Sequence, residues 1–473
     1  MDRLDYEQMI NQQISKVIEE LTCNQAVLKE TVVLDYLKLV KAKLLEMRNF
    51  NPEEIYERLL DDYLNEINLI NQLVPGVSTA IKDNKNGIEL YTYSGKVSGK
   101  GPKLDENVQF DVASITKLFM AIEALKLAEE GKFTLQKDVS SYAGGKYQYL
   151  QIPVIDMVKF YYSLKTDGRI DDADLTLEEI ERRLRNTKIM KSQTFEYSDI
   201  PFIILKDIMP DADSYFKKYF YDIMGLYQTS YEPLGMMTGG NEDNLGLVHD
   251  PKAYNLRRFN INPGHAGIYS TSRDLVKLFD GLKAGFLSSD SLDKLITPAL
   301  SGPYLIEDGH VVYKKNGKIQ NINRGLAAYI QHPDGFSATE VSPILSAKAF
   351  SIVGFTGGYA TFDLKNEVTA NILTNPLSNQ TERILDLDSR LAKSMKVTGS
   401  KIDIAGNKVH VMSDNDSIDV PYYKIIQGLK EKQIDVILAL RLAKKVLEAR
   451  ALEEDGLPFD VTRSFDTVKI LRR

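Results

Sequence analysis

The chain has 473 residues, 43% of them apolar, a net charge of −7 and a single cysteine, Cys23. That length can bury the core of more than one domain, while the acidic balance excludes the basic footprint of a nucleic-acid-binding protein and one cysteine excludes an internal disulfide, as in a reducing compartment. No window approaches the roughly 18 uninterrupted apolar residues of a membrane span, and the opening MDRLDYEQMINQQ lacks the basic and apolar regions of a secretory signal, so the expectation is a soluble cytoplasmic protein.

Residues 1–72 read as charged amphipathic helices, with Asn51 as cap, Pro52 in the first turn and Glu54 completing a capping box. The segment GVSTAIKDNKNGIELYTY at 76–93 carries two strand-like runs around Asp83–Gly87, a hairpin signal. Ile115 to about Glu130 is a helix stopped by Gly131. A further helix is predicted over DDADLTLEEIERRLRN at 171–186, and another after the Ser270–Ser272 start, with apolar spacing through Leu275, Leu278 and Leu282. KAFSIVGFTGGYATFDLKNEVTANILTN at 348–375 reads as consecutive antiparallel strands turning at KNE. The tail from 391 holds a hairpin around Gly406–Asn407 and a helix near 421–450. Hairpin strands at both ends of a helical middle are α+β logic: an antiparallel sheet flanked by helices, over about 73–390, with extensions at 1–72 and 391–473.

One short motif carries chemistry. Roughly two S-x-x-K matches arise by chance in a chain of this length, and there are three, at Ser114/Lys117, Ser214/Lys217 and Ser291/Lys294. The second and third read as helix starts with solvated lysines. The first lies in VASITKLFMAIEAL, where apolar residues on both sides imply a buried helix. A lysine there loses solvation, which favours its neutral, proton-accepting form, and a serine beside such a base becomes a nucleophile. FEYSDIPFIIL at 195–205 places Tyr197 and Asp199 just before an apolar helix, and VGFTGGYATF at 353–362 reads as a glycine-rich strand along which a substrate could lie.

With FDVASITKLF, YSD and FTG in this order, the chain resembles the serine β-lactamase/penicillin-binding protein superfamily, in its class C-like hydrolase and esterase branch. The flanking EEGKFTLQKDVSSY, VHDPKAY and GHAGIYSTSRDLVKLF are similar too. The resemblance implies a β-lactamase-like sheet with an all-helical subdomain, Ser114 as the acylated nucleophile, Lys117 as its partner base and Tyr197 as second proton carrier. It also implies an oxyanion hole from the N–H groups of Ser114 and Gly358, with Asp199, Phe355, Thr356 and Gly357 lining the substrate site. Two positions depart from the pattern. Asp199 replaces the usual Asn and favours a charged Lys117. Phe355 replaces the usual Lys or His, which leaves only Thr356 for a substrate carboxylate and disfavours efficient β-lactam hydrolysis against an ester or amide lacking that group.

No G-x-S-x-G elbow exists for a Ser–His–Asp triad, and none of His249, His265, His310, His332 and His410 has metal-ligand spacing. His265 reads as a turn-packing residue and His249–Asp250 as a helix entry. No metal or cofactor is expected. The reading is a serine hydrolase working on a small-molecule or peptide-like acyl substrate; its alternative is a weak or inactive relative that binds a ligand or partner.

Overall fold

The computed structural model describes residues 75–375, with interruptions at 86, 99–100, 173, 193–196, 236–247, 298–302, 308–309, 313–319, 322–323, 331–344 and 347, together with residues 8, 11 and 12 and the strands at 401–405, 408–412 and 417–421. Apart from residues 8, 11 and 12, which are helical, the expected helices of residues 1–72 lie outside the described residues, as does the one expected near 421–450 beyond Pro421.

The main sheet has six strands: β1 (Gly76–Asp83), β2 (Ile88–Gly95), β3 (Tyr329–Ile330), β4 (Ala349–Val353), β5 (Tyr359–Asp363) and β6 (Val368–Thr374), in the spatial order β3-β4-β5-β6-β1-β2. All neighbours are antiparallel, and β1 pairs with β6 from Val77↔Thr374 to Asp83↔Val368. The first strand is thus closed by one from nearly 300 residues later, as the two hairpin signals imply. β5 and β6 are buried along their whole length, the mark of strands covered on both faces.

Helix α1 (Thr116–Glu129) is buried at every position from Thr116 to Leu125 and again at Leu127. A helix buried on every face belongs at the centre of a core. Phe119 meets Phe220 at 5.0 Å between ring centroids, and each such buried side chain contributes about 1.5–3 kcal/mol. Gly131 ends the helix with φ +69°. Helix α2 (Ile200–Ile208) starts at Asp199 with Pro201 in its first turn, and α3 (Pro251–Arg257) is capped by the Asp250 carboxylate, which accepts from the amides of Lys252 and Ala253. Helix α4 (Ser272–Lys283) is capped by Thr271 and tied to the sheet by Asn371, whose side chain donates to the Ser272 carbonyl.

Two expectations change. The helix predicted over 171–186 occupies only Leu177–Arg185, because the Thr176 hydroxyl accepts from Glu179 N–H and sets the start there. The glycine-rich stretch predicted as one strand is a hairpin: β4 ends at Val353, β5 begins at Tyr359, and residues 354–358 form a tight turn with Gly357 at φ +82°. At the far end, the expected hairpin around Gly406–Asn407 is present as strands Lys401–Ala405 and Lys408–Met412 in register, and a third strand, Ser417–Pro421, pairs with the second.

Candidate active site

Ser114 sits in a short 3-10 turn, Ala113–Ile115, that leads into α1. Ala113 is buried and holds φ +43°, a conformation that costs an alanine strain and persists only when its surroundings impose it. The Asp111 side chain supplies that constraint. One oxygen accepts from Ala113 N–H at 2.8 Å, and the other accepts from His249 N–H at 2.9 Å and faces His249 Nδ1 at 3.0 Å. His249, read as a helix entry, is therefore also part of the support under the nucleophile.

Lys117, the second residue of α1 and one turn on from Ser114, is completely buried. Its Nζ donates to Ser114 Oγ at 2.9 Å, to Asp199 Oδ1 at 2.8 Å and to the His265 carbonyl at 3.1 Å. Three acceptors match the three hydrogens of an ammonium. Burial is the strongest single influence and pushes the lysine toward its neutral form, but Asp199 and Tyr197 together outweigh it, and Lys117 is held above its ordinary value. Burial alone would make the lysine neutral; the carboxylate that stands in place of the usual Asn favours the charged form, as its position in the sequence implies.

Tyr197 approaches from the segment before α2, and its hydroxyl donates to Ser114 Oγ at 2.6 Å. The Lys117 ammonium lies 4.8 Å from the centre of the same ring. Ser114, Lys117 and Tyr197, 83 residues apart at the extremes, thus converge on one oxygen.

Asp199 joins this group to a second charged cluster. Its other oxygen accepts from Lys252 Nζ at 3.0 Å, and burial, which would raise its pKa, is overridden by Lys117, His265 and Lys252, so it stays ionised. Asp250, besides capping α3, accepts from the buried His265 Nε2 at 2.9 Å. Asp199, Asp250 and His265 offer donor atoms within 4.8 Å of one another, yet each Asp199 oxygen already accepts from an ammonium, so the charge a cation would bring is supplied by Lys117 and Lys252. Lys252 escaped the sequence reading. No local signal marked it, because its partner Asp199 lies 53 residues away.

The remaining expected residues lie on the β4–β5 turn, which presses against the nucleophile's turn. A Cβ on Gly354 would come within 2.6 Å of the Val112 carbonyl, and one on Gly358 within 3.1 Å of the Ile115 side chain. The Gly358 carbonyl accepts from Gly354 N–H at 2.7 Å. Among the described residues, the N–H groups of Ser114 and Gly358 donate to no protein acceptor. Phe355 is 40% exposed at this turn. Thr356 is buried, and its hydroxyl donates to the Asp111 carbonyl at 2.6 Å, which ties the turn to the nucleophile's support.

The Beta-lactamase family model matches residues 57–393. Among solved structures, the chain is similar to a class C beta-lactamase from Rhodobacter sphaeroides, with 14% identity, TM-score 0.50 and coverage of 68% of this chain and 96% of that one. It is also similar to a class C beta-lactamase in complex with cefoxitin, with 18% identity, TM-score 0.50 and coverage of 72% and 100%. A beta-lactamase/D-alanine carboxypeptidase from Pseudomonas syringae matches at 17% identity and TM-score 0.50, over 70% of this chain and 98% of that one. A search of curated proteins found no match.

Proposed function

The chain belongs to the beta-lactamase family, and from that premise we propose that it is a serine hydrolase that forms an acyl intermediate on Ser114 from an ester or amide substrate. The observation that carries this reading is the pair of short contacts on Ser114 Oγ, one from the Lys117 ammonium and one from the Tyr197 hydroxyl.

In the reactive form the Lys117–Tyr197 pair has released one proton. As Oγ attacks the substrate carbonyl, the pair takes the Ser114 proton, and it returns that proton to the departing alcohol or amine. The amides of Ser114 and Gly358 are the candidates to hold the negative charge on the attacked oxygen, since preorganised donors there are the largest single aid to acyl transfer. Water then clears the acyl group along the reverse proton path. Asp199 keeps the proton on Lys117, so the reactive fraction is small near neutral pH and grows with alkalinity.

Substrate preference follows from the β4–β5 turn. Phe355 offers an apolar face where relatives place a cation, and the Thr356 hydroxyl is already committed to Asp111. Neutral, apolar acyl groups suit this turn better than penicillin-like substrates with a carboxylate. We place the hydrolase unit at 73–390, with 1–72 and 391–473 as extensions, in the cytoplasm.

Treatment with a fluorophosphonate, then peptide mapping by mass spectrometry, tests the reading. The adduct should be on Ser114 and absent from Ser114→Ala, with nitrophenyl esters turned over faster than nitrocefin. No adduct and no turnover would replace the enzyme by a binding protein on the same fold.

A further inference from the structure

Arg324 is 6% exposed, and a guanidinium cannot shed its charge to suit the core. Such a charge is normally met by a carboxylate, yet among the described residues no carboxylate pairs with it, and its Nη1 has no hydrogen-bond partner. What surrounds it instead is aromatic. The guanidinium carbon lies 4.0 Å from the centre of the Tyr329 ring, 4.8 Å from that of Tyr197 and 5.3 Å from that of Phe160. Its Nη2 donates to the Tyr329 hydroxyl. Phe160 and Tyr197 also lie against each other, with centroids 5.3 Å apart.

The backbone at this position is pinned. Leu326 N–H donates to the Leu295 carbonyl at 2.9 Å, Gly325 N–H to the Ala328 carbonyl at 3.0 Å, and a Cβ on Gly325 would come within 1.9 Å of the Leu295 oxygen. Arg324 is therefore delivered to the Tyr197 ring by a rigid segment, and two cations, Lys117 and Arg324, each stand 4.8 Å from that ring's centre.

We propose that Arg324 is a positioning residue for the reaction: through the aromatic cage of Phe160, Tyr197 and Tyr329 it fixes the Tyr197 ring over Ser114 and stabilises the negative charge that grows on the phenol as protons pass through it. Cation–π attraction is electrostatic and strengthens when desolvated, so a buried guanidinium acts most strongly on an aromatic ring that is gaining negative charge. The inference rests on the acyl-serine reading and adds a residue that no S-x-x-K, YSD or FTG element contains.

The test compares rates of phosphonylation of Ser114 by a fluorophosphonate, in which Oγ bonds to phosphorus and fluoride leaves, in the full chain. Arg324→Gln should slow this step about tenfold, and Arg324→Lys, which keeps the charge but not the flat stacking group, should recover part of the loss. In a Tyr197→Phe background, Arg324→Gln should change the rate by less than twofold, because the arginine acts through the phenol. An Arg324→Gln rate within twofold of the parent overturns the proposal. So does an equal slowing in both backgrounds, which marks a role in folding alone. If Arg324→Gln does not fold, Arg324→Lys in the two backgrounds decides by the same criterion. Absence of a Ser114 adduct in the parent protein removes the hydrolase reading and this inference with it.

Discussion

Helix α1 buries two ionisable side chains six residues apart, and they are treated in opposite ways. Lys117 is fully buried, gives all three of its hydrogens to acceptors and faces the ionised Asp199. Glu123 is equally buried, but among the described residues neither carboxyl oxygen has a hydrogen-bond partner. Desolvation pushes its pKa up to about 8, and the opposing attraction of Lys206 is too weak to restore it, since Lys206 pairs with Asp213 at 2.8 Å. The same core thus keeps one charge and suppresses another. Burial sets the cost, and the partner decides whether the group stays ionised.

The largest effect should come from breaking the paired end. Ser114→Ala removes the nucleophile and Lys117→Met its proton partner, and either should reduce acylation by about 10³-fold or more. Lys117→Met also leaves Asp199 with Lys252 as its remaining ammonium partner, so its folding is checked by thermal melting; a variant that melts normally yet acylates at the parental rate would refute the assigned role.

The unpaired end gives the next effect, in stability. The Glu123 value is about 8 in the folded chain against an ordinary 4.5. Below about 4.5 the group is neutral in both states and costs nothing. Between about 4.5 and 8 the unfolded chain releases the proton and the folded chain does not, so stability falls with rising pH, by about 3 kcal/mol at pH 7. Glu123→Gln does not titrate. Its melting temperature relative to the parent should climb between pH 5 and pH 8, and a difference independent of pH would show that Glu123 is ionised in the fold.

Asp199 is the lever between the two cases. Asp199→Asn leaves Lys117 buried without its anion, so burial prevails and the lysine releases its proton at lower pH. The alkaline rise in acylation rate should move down by about one pH unit, roughly tenfold at a fixed pH on the rise. An unmoved profile would mean that Lys117 is not the group whose proton limits the reaction.

These contrasts also mark what the sequence could reveal. The β1–β2 hairpin, the β4–β6 strands and α1 were legible because alternation, turn residues and the Gly131 stop are local signals. Ser114, Lys117 and Tyr197 were legible through motif and resemblance. The charge on Lys117 was legible in part, through Asp199 at the place of the usual Asn, but the second lysine of the cluster, Lys252, was not, because it lies 53 residues beyond Asp199. Arg324 was hidden for the same reason, since its cage draws rings from three separate segments. The hairpin at 354–358 was misread because alternation cannot tell a continuous strand from two strands meeting at a glycine turn.

The smallest effect tests Thr356, where the family pattern and the geometry point to different roles. If the hydroxyl binds substrate, removing it should raise KM. Its 2.6 Å bond to the Asp111 carbonyl argues for the other role. Thr356→Val keeps the shape, leaves that carbonyl without this donor and should cost about 1–2 kcal/mol of stability, with KM for nitrophenyl esters unchanged within twofold. The loss should also appear as a modest fall in kcat, because Asp111 holds the Ala113–Ser114 turn through its side chain. A raised KM at unchanged stability would return Thr356 to the substrate site and make the β4–β5 turn a polar recognition element after all.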